Sequence, residues 1–173
     1  DSTPILNYIT SSLVKKEGSL FNKHKDLLTS DTERWSEWSE KKLAVMLYPN
    51  ITRNFNESWE CFEYTKDVME WGTANRYGTR LLGAVAMMFA NSKIKKKYNI
   101  VDERKELTEV LNEWTSAVGD KNFLHGNKVT LPDIMVFGVL RGIEGLSTFN
   151  EVMSSNPALA KWYANVEKEC PSC

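Results

Sequence analysis

The residues able to do chemistry in this sequence are few, and most of them are badly placed for it. There are three cysteines, Cys61, Cys170 and Cys173, and two histidines, His24 and His125. Cys61 falls within a helical pattern and reads as a small buried hydrophobe. Cys170-Pro171-Ser172-Cys173 has the Cys-x-x-Cys spacing that lowers a thiol pKa when the first cysteine caps a helix N-terminus. Here the pair follows the last helix, at its negative end, where a thiolate is disfavoured. The tail therefore reads as incidental or weakly structural. The histidines stand far apart and give no zinc-ligand spacing, so no metal is expected. Without a nucleophile, a metal set or a phosphate loop, no catalysis is expected from this chain alone.

Charge offers two further candidates. Lys93, Lys95, Lys96 and Lys97 form a run at a helix end, where cations suit the dipole. Such a run is usually a solvated face; its functional alternative is docking to an anionic partner or a membrane surface. Arg141 and Glu144 stand three apart on one helix and suit a structural ion pair. Two glycosylation sequons, Asn50-Ile51-Thr52 and Asn56-Glu57-Ser58, are silent in an intracellular fold.

The elements that must carry these groups read as helices. With 42% hydrophobic and 26% charged residues the chain can bury a core. Its 22 Lys+Arg against 23 Asp+Glu exclude a basic nucleic-acid footprint over the whole chain. Low glycine and proline argue against a turn-rich sandwich. A first helix follows Asp1-Ser2-Thr3-Pro4, with Ile5, Leu6, Ile9 and Leu13 on one face, and Gly18 ends it. Residues 19–30 read as a connector. A second helix starts near Ser30, turns Trp35, Trp38, Ala44 or Val45, and Leu47 inward, and stops at Pro49. A third spans about 54–69, with Phe55, Trp59, Phe62 and Met69 on its apolar side.

The fourth, about 74–98, is the longest and contains the apolar run from Leu81 to Ala90. That run reaches about 15 Å as a helix, half a bilayer core, so it is expected to be buried in the domain. Gly78, Gly83, Ala84 and Ala86 are small enough to let another element approach closely. No run of about 18 apolar residues exists to span a membrane. A fifth helix starts at Asp102 and carries Leu107, Val110, Leu111, Trp114 and Val118 at helical spacing up to Gly119. A sixth runs from Thr130 to about Leu146, a short seventh over 148–153, and the last begins at Asn156-Pro157 and carries Leu159, Trp162, Tyr163 and Val166 at helical spacing. The expected fold is an all-α bundle of seven to eight helices.

The most specific local signal is Val129-Thr130-Leu131-Pro132-Asp133-Ile134. Thr130 and Asp133 have the spacing of a capping box, and Val129 and Ile134 that of a hydrophobic staple. This box, after Phe123-Leu124-His125-Gly126-Asn127-Lys128, resembles the start of the central helix in the glutathione-transferase C-terminal domain. The string Val136-Phe137-Gly138-Val139-Leu140-Arg141-Gly142-Ile143-Glu144-Gly145-Leu146 resembles the prostaglandin E synthase type 2-like branch of that family. Arg34-Trp35-Ser36-Glu37-Trp38, Leu47-Tyr48-Pro49-Asn50 and Trp114-Thr115-Ser116-Ala117-Val118-Gly119 agree with the same branch.

The resemblance implies a division of the chain. Residues 1–18 correspond to the last helix of a thioredoxin-like domain, 19–30 to a connector, and 31–173 to the helical domain. It implies a glutathione-dependent isomerase or thiol transferase in full-length relatives, whose thioredoxin-like half holds glutathione and a Cys-Pro-x-Cys site. Asp1 and Ser2 match glutathione-contacting positions, with a simple helix cap as the alternative. No cofactor is expected for this chain by itself. Trp35, Trp38, Tyr77 and Arg80 fall where the family lines its substrate cavity, with aromatic core and a surface arginine as the alternative. Expected partners are the chain's own thioredoxin-like half, a second copy, or a larger organellar complex in a mitochondrion or plastid. A structural or linker subunit of such a complex is the alternative function. Membrane contact, if made, would be peripheral rather than transmembrane, and nucleic acid is not expected.

Overall fold

A computed structural model describes residues 31–68 and 71–169. The expected first helix with Asp1 and Ser2, the connector, Met69 and the Cys170–Cys173 tail lie outside the described residues. The described residues are all-α, with no strand among them. The helices are α1 (Thr32–Trp38), α2 (Ala44–Asn50), α3 (Phe55–Glu60), α4 (Thr73–Tyr98), α5 (Glu103–Val118), α6 (Leu131–Arg141), α7 (Ser147–Ser155) and α8 (Pro157–Glu169). A π-helical turn, Ser39–Leu43, joins α1 to α2 without a break, and a 3₁₀ turn, Glu63–Asp67, follows α3.

The core is built around tryptophan. Trp114 of α5 meets Trp35 edge-on at 5.1 Å, Trp162 edge-on at 5.1 Å, and Trp38 in a stack at 6.0 Å. These geometries suit ring quadrupoles better than a face-to-face sandwich. Leu107, Leu111, Val136, Phe137, Leu140, Leu159 and Val166 close around them, all buried. The expected inward faces of α5 and α8 are the observed ones. Asp102 caps α5 by accepting the Lys105 N–H at 3.0 Å, and Asn156 accepts from Leu159 N–H at 3.0 Å.

One register and three boundaries differ from expectation. The π-helical turn inserts an extra residue into its hydrogen-bonded ring. The inward position after Trp35 therefore falls eight residues on, at Leu43, instead of the expected Ala44, which is exposed, or Val45, which is half-buried. Pro49 does not stop this segment: it lies buried in the last turn, and the helix ends one residue later. The expected third helix is cut after Glu60, continues only as the 3₁₀ turn, and leaves Phe55 largely exposed. Likewise α6 ends at Arg141, and turns complete the path to Leu146.

Asn50 and Asn91 tie these pieces together. Asn50 Nδ2 donates to the carbonyls of Met46 (2.9 Å) and Glu103 (2.8 Å), its Oδ1 accepts from Arg104 (3.1 Å), and its own carbonyl accepts from Thr148 (3.0 Å). Asn91 of α4 donates to the carbonyls of Pro49 (3.2 Å) and Thr52 (2.6 Å). Asn91 thus satisfies carbonyls at and just beyond the end of α2, where the helix has run out of amide donors, and Asn50 ties that end to the start of α5.

The largest correction concerns α4. Of the run expected to be buried, Ala84 alone is fully so; Leu82 is 74% and Phe89 70% exposed, and Leu81, Val85 and Met88 also face outward. The inward seam is Arg80, Gly83, Ala84 and Asn91. Gly83 is required there, because a Cβ on it would stand 2.4 Å from the Phe62 ring. Gly78 has no such neighbour.

Candidate functional site

The capping box at the start of α6 is built as expected and is larger than a cap. Asp133 is fully buried, and its Oδ2 accepts from the Thr130 backbone N–H (3.0 Å) and hydroxyl (2.7 Å). Its Oδ1 accepts from the Leu124 N–H (3.0 Å) and Trp162 Nε1–H (2.9 Å). Four donors meet one carboxylate, which is what a buried charge requires. Val129 packs against the core beside this turn, and Ile134 is half-buried. The polar chain continues outward: His125 Nδ1 lies 3.0 Å from Thr130 Oγ1, and its Nε2 2.8 Å from Asp31 Oδ1. Asp31 also accepts from Trp35 Nε1–H at 3.2 Å. The sequence offers His125 only as a possible metal ligand and does not join it, Asp31 or Trp162 to the box; the Trp162–Asp133 and His125–Asp31 contacts cross 29 and 94 residues and leave no local pattern.

The four substrate-cavity candidates divide into two places. Trp35 is buried in the core and reaches the wall of an open cavity of about 330 Å³, shared with Asp31, Arg34, Glu113 and His125. Trp38 lies edge-on to Trp35 at 5.2 Å and stacks on Trp114. Tyr77 and Arg80 instead meet at a smaller cavity of about 170 Å³ between the 3₁₀ turn and α4. There the Arg80 guanidinium lies over the Trp59 ring at 4.4 Å and donates through Nε to the Trp59 carbonyl at 2.9 Å. Arg80 is 6% exposed, so it is not the surface arginine of the alternative reading.

Of the docking lysines, Lys95 is engaged by Glu103. Burial works to raise the Glu103 carboxyl, but this partner holds it below the ordinary value. Lys93, Lys96 and Lys97 are exposed, Lys97 lying 5.0 Å over the Tyr98 ring. The Arg141–Glu144 pair is half-exposed at 3.8 Å, which makes it a weak structural contact. Cys61 is half-buried; burial, then the charge of Glu60, pushes its thiol up to about 11. At neutral pH it is a thiol, not a thiolate, and a poor nucleophile. Among the described residues no cluster of His, Cys, Asp or Glu could hold a metal ion, and no helix is long and apolar enough to cross a membrane.

The helical bundle, with its buried capping box under a tryptophan core, belongs to the glutathione S-transferase C-terminal domain family, whose description matches residues 82–170, about half of the chain. Within that class the chain is similar to prostaglandin E synthase 2 of Mus musculus, 30% identical over 175 residues, covering 98% of this chain and 45% of the mouse protein. It is also 32% identical over 137 residues to prostaglandin E synthase 2 of Danio rerio, covering 78% of this chain and 36% of the zebrafish protein. The chain thus spans less than half the length of these relatives.

Proposed function

We propose that this chain is the helical, substrate-side half of a glutathione-dependent isomerase or thiol transferase related to prostaglandin E synthase 2. The observation that carries the proposal is the likeness to the mouse enzyme across nearly the whole chain. In this role a thioredoxin-like half, in the same or a separate polypeptide, supplies glutathione and the reactive thiol. Asp1 and Ser2 would meet the γ-glutamyl group, and Tyr77 and Arg80 would face the substrate. The raised Cys61 thiol supports a role in which Cys61 is not the nucleophile.

The outer face of α4 favours a second role, as a non-catalytic subunit of a larger organellar membrane complex. Leu81, Leu82, Val85, Met88 and Phe89 form an apolar stripe on one side of this helix, followed by exposed lysines. Contiguous apolar faces of this kind mark contact surfaces on folded proteins.

The two roles separate in a gentle extract of the source. The enzymatic role predicts migration as a small monomer or dimer and glutathione-dependent formation of prostaglandin E, or thiol transfer, once a thioredoxin-like half is present. Co-migration with a large membrane complex, without turnover, would select the second role. Cys61 should react with iodoacetamide at pH 8 more than about tenfold slower than a free cysteine; equal rates would contradict a thiol held in its neutral form.

A further inference from the structure

We propose that the cavity between the 3₁₀ turn and the start of α4 is a binding subsite for an oxyanion, a carboxylate or a phosphate. Six residues line it: Thr65, Lys66, Thr73, Arg76, Tyr77 and Arg80. Three are cations. Glu63 pairs with Lys66 and lies 3.7 Å from Arg80 Nη2, beyond hydrogen-bond distance. One carboxylate thus pairs with two of the three cations, and the lining itself holds no acid.

The two arginines are held in place before any ligand arrives. Arg80 is fixed by the Trp59 carbonyl and ring. Arg76 Nη2 donates to the Val68 carbonyl at 2.9 Å. The Arg76 Nε, however, is buried with no hydrogen-bond partner. That atom is closed off from the cavity, so an oxyanion there would meet the guanidinium through its outer N–H groups. Guanidinium groups suit this task because their fork of donors matches carboxylate and phosphate oxygens. Thr73 and Tyr77 add hydroxyls, whereas the Thr65 hydroxyl is already donated to the Phe62 carbonyl at 2.7 Å. The positive end of α4 points the same way: it has Gly72 as cap, no side-chain cap and no acid in its first turn.

This inference shares Tyr77 and Arg80 with the proposed substrate side, but the two fail separately, since an anion titration reads the arginines while the glutathione-dependent assay reads the thiol half. The test titrates the whole chain with inorganic phosphate and, separately, with butyrate. It follows the arginine Nε–H resonances by NMR and affinity by calorimetry. Saturable binding is expected, with the largest shifts at Arg76 and Arg80, and the tighter of the two probes names the ligand class. Arg76→Gln should weaken binding by about tenfold, the loss of one charge-assisted hydrogen bond, while Lys93→Gln on the same helix should not. If Arg76→Gln lowers the thermal midpoint, Tyr77→Phe, at an exposed side chain, serves instead and should weaken binding by a smaller factor. Binding of neither probe, or binding indifferent to both substitutions, would overturn the proposal.

Discussion

The start of α6 and the middle of α4 look alike by composition, and the structure uses them in opposite ways. Both segments are rich in apolar residues, and both carry charged or polar groups that end up buried. In α6 the apolar residues Val136, Phe137 and Leu140 face inward, and the one buried charge, Asp133, has four donors. In α4 the apolar residues face outward, and the inward seam is Arg80, Gly83, Ala84 and Asn91. The difference teaches that burial here follows available hydrogen-bond partners as much as hydropathy. Arg80 and Asn91 are held because the carbonyls of Trp59, Pro49 and Thr52 lie within reach.

The comparison breaks most visibly at Asp133. Asp133→Ala leaves the Trp162, Leu124 and Thr130 donors buried without an acceptor and should cost about 3–5 kcal/mol in urea unfolding. A cost below about 1 kcal/mol would mean that the box is ornamental. Next is the α4 seam. Gly83→Ala drives a methyl into the Phe62 ring and should cost about 1–3 kcal/mol. Gly138→Ala, on the exposed side of α6 with open space around it, should instead stabilise by up to about 1 kcal/mol. Thermal melts of the two variants should thus move in opposite directions. Hydrogen exchange sharpens the same contrast: amides of 107–118 and 134–140 should open only with global unfolding, and those of 81–89 at a lower free energy.

Much of this fold was legible in the sequence because its elements are locally marked. Asp102, Thr130 and Asn156 announce their helices, and the tryptophan and leucine spacing of α5 and α8 names their buried faces. The register of α1 and α2 was not legible, because no residue type signals the π-helical turn that brings Leu43 inward. The orientation of α4 was hidden for a different reason. Periodicity assigns the apolar stripe to the core, whereas the carbonyls that satisfy Arg80 and Asn91 come from residues 21 to 42 positions away. Of the candidate site, Tyr77 and Arg80, grouped by the family resemblance, line one cavity together. The resemblance joined them to Trp35, which sits at another cavity, and to Trp38, which packs against the core, and it passed over Arg76, whose place in the cavity lining is visible only in three dimensions.

The most direct test of the contrast is the stability of the double variant Leu82→Lys, Phe89→Lys by urea unfolding. If the outer face of α4 is a contact surface and not part of the core, stability should stay within about 0.5 kcal/mol of the parent. A loss of several kcal/mol, of the size expected for Asp133→Ala, would show that these side chains hold the fold together and would contradict the account.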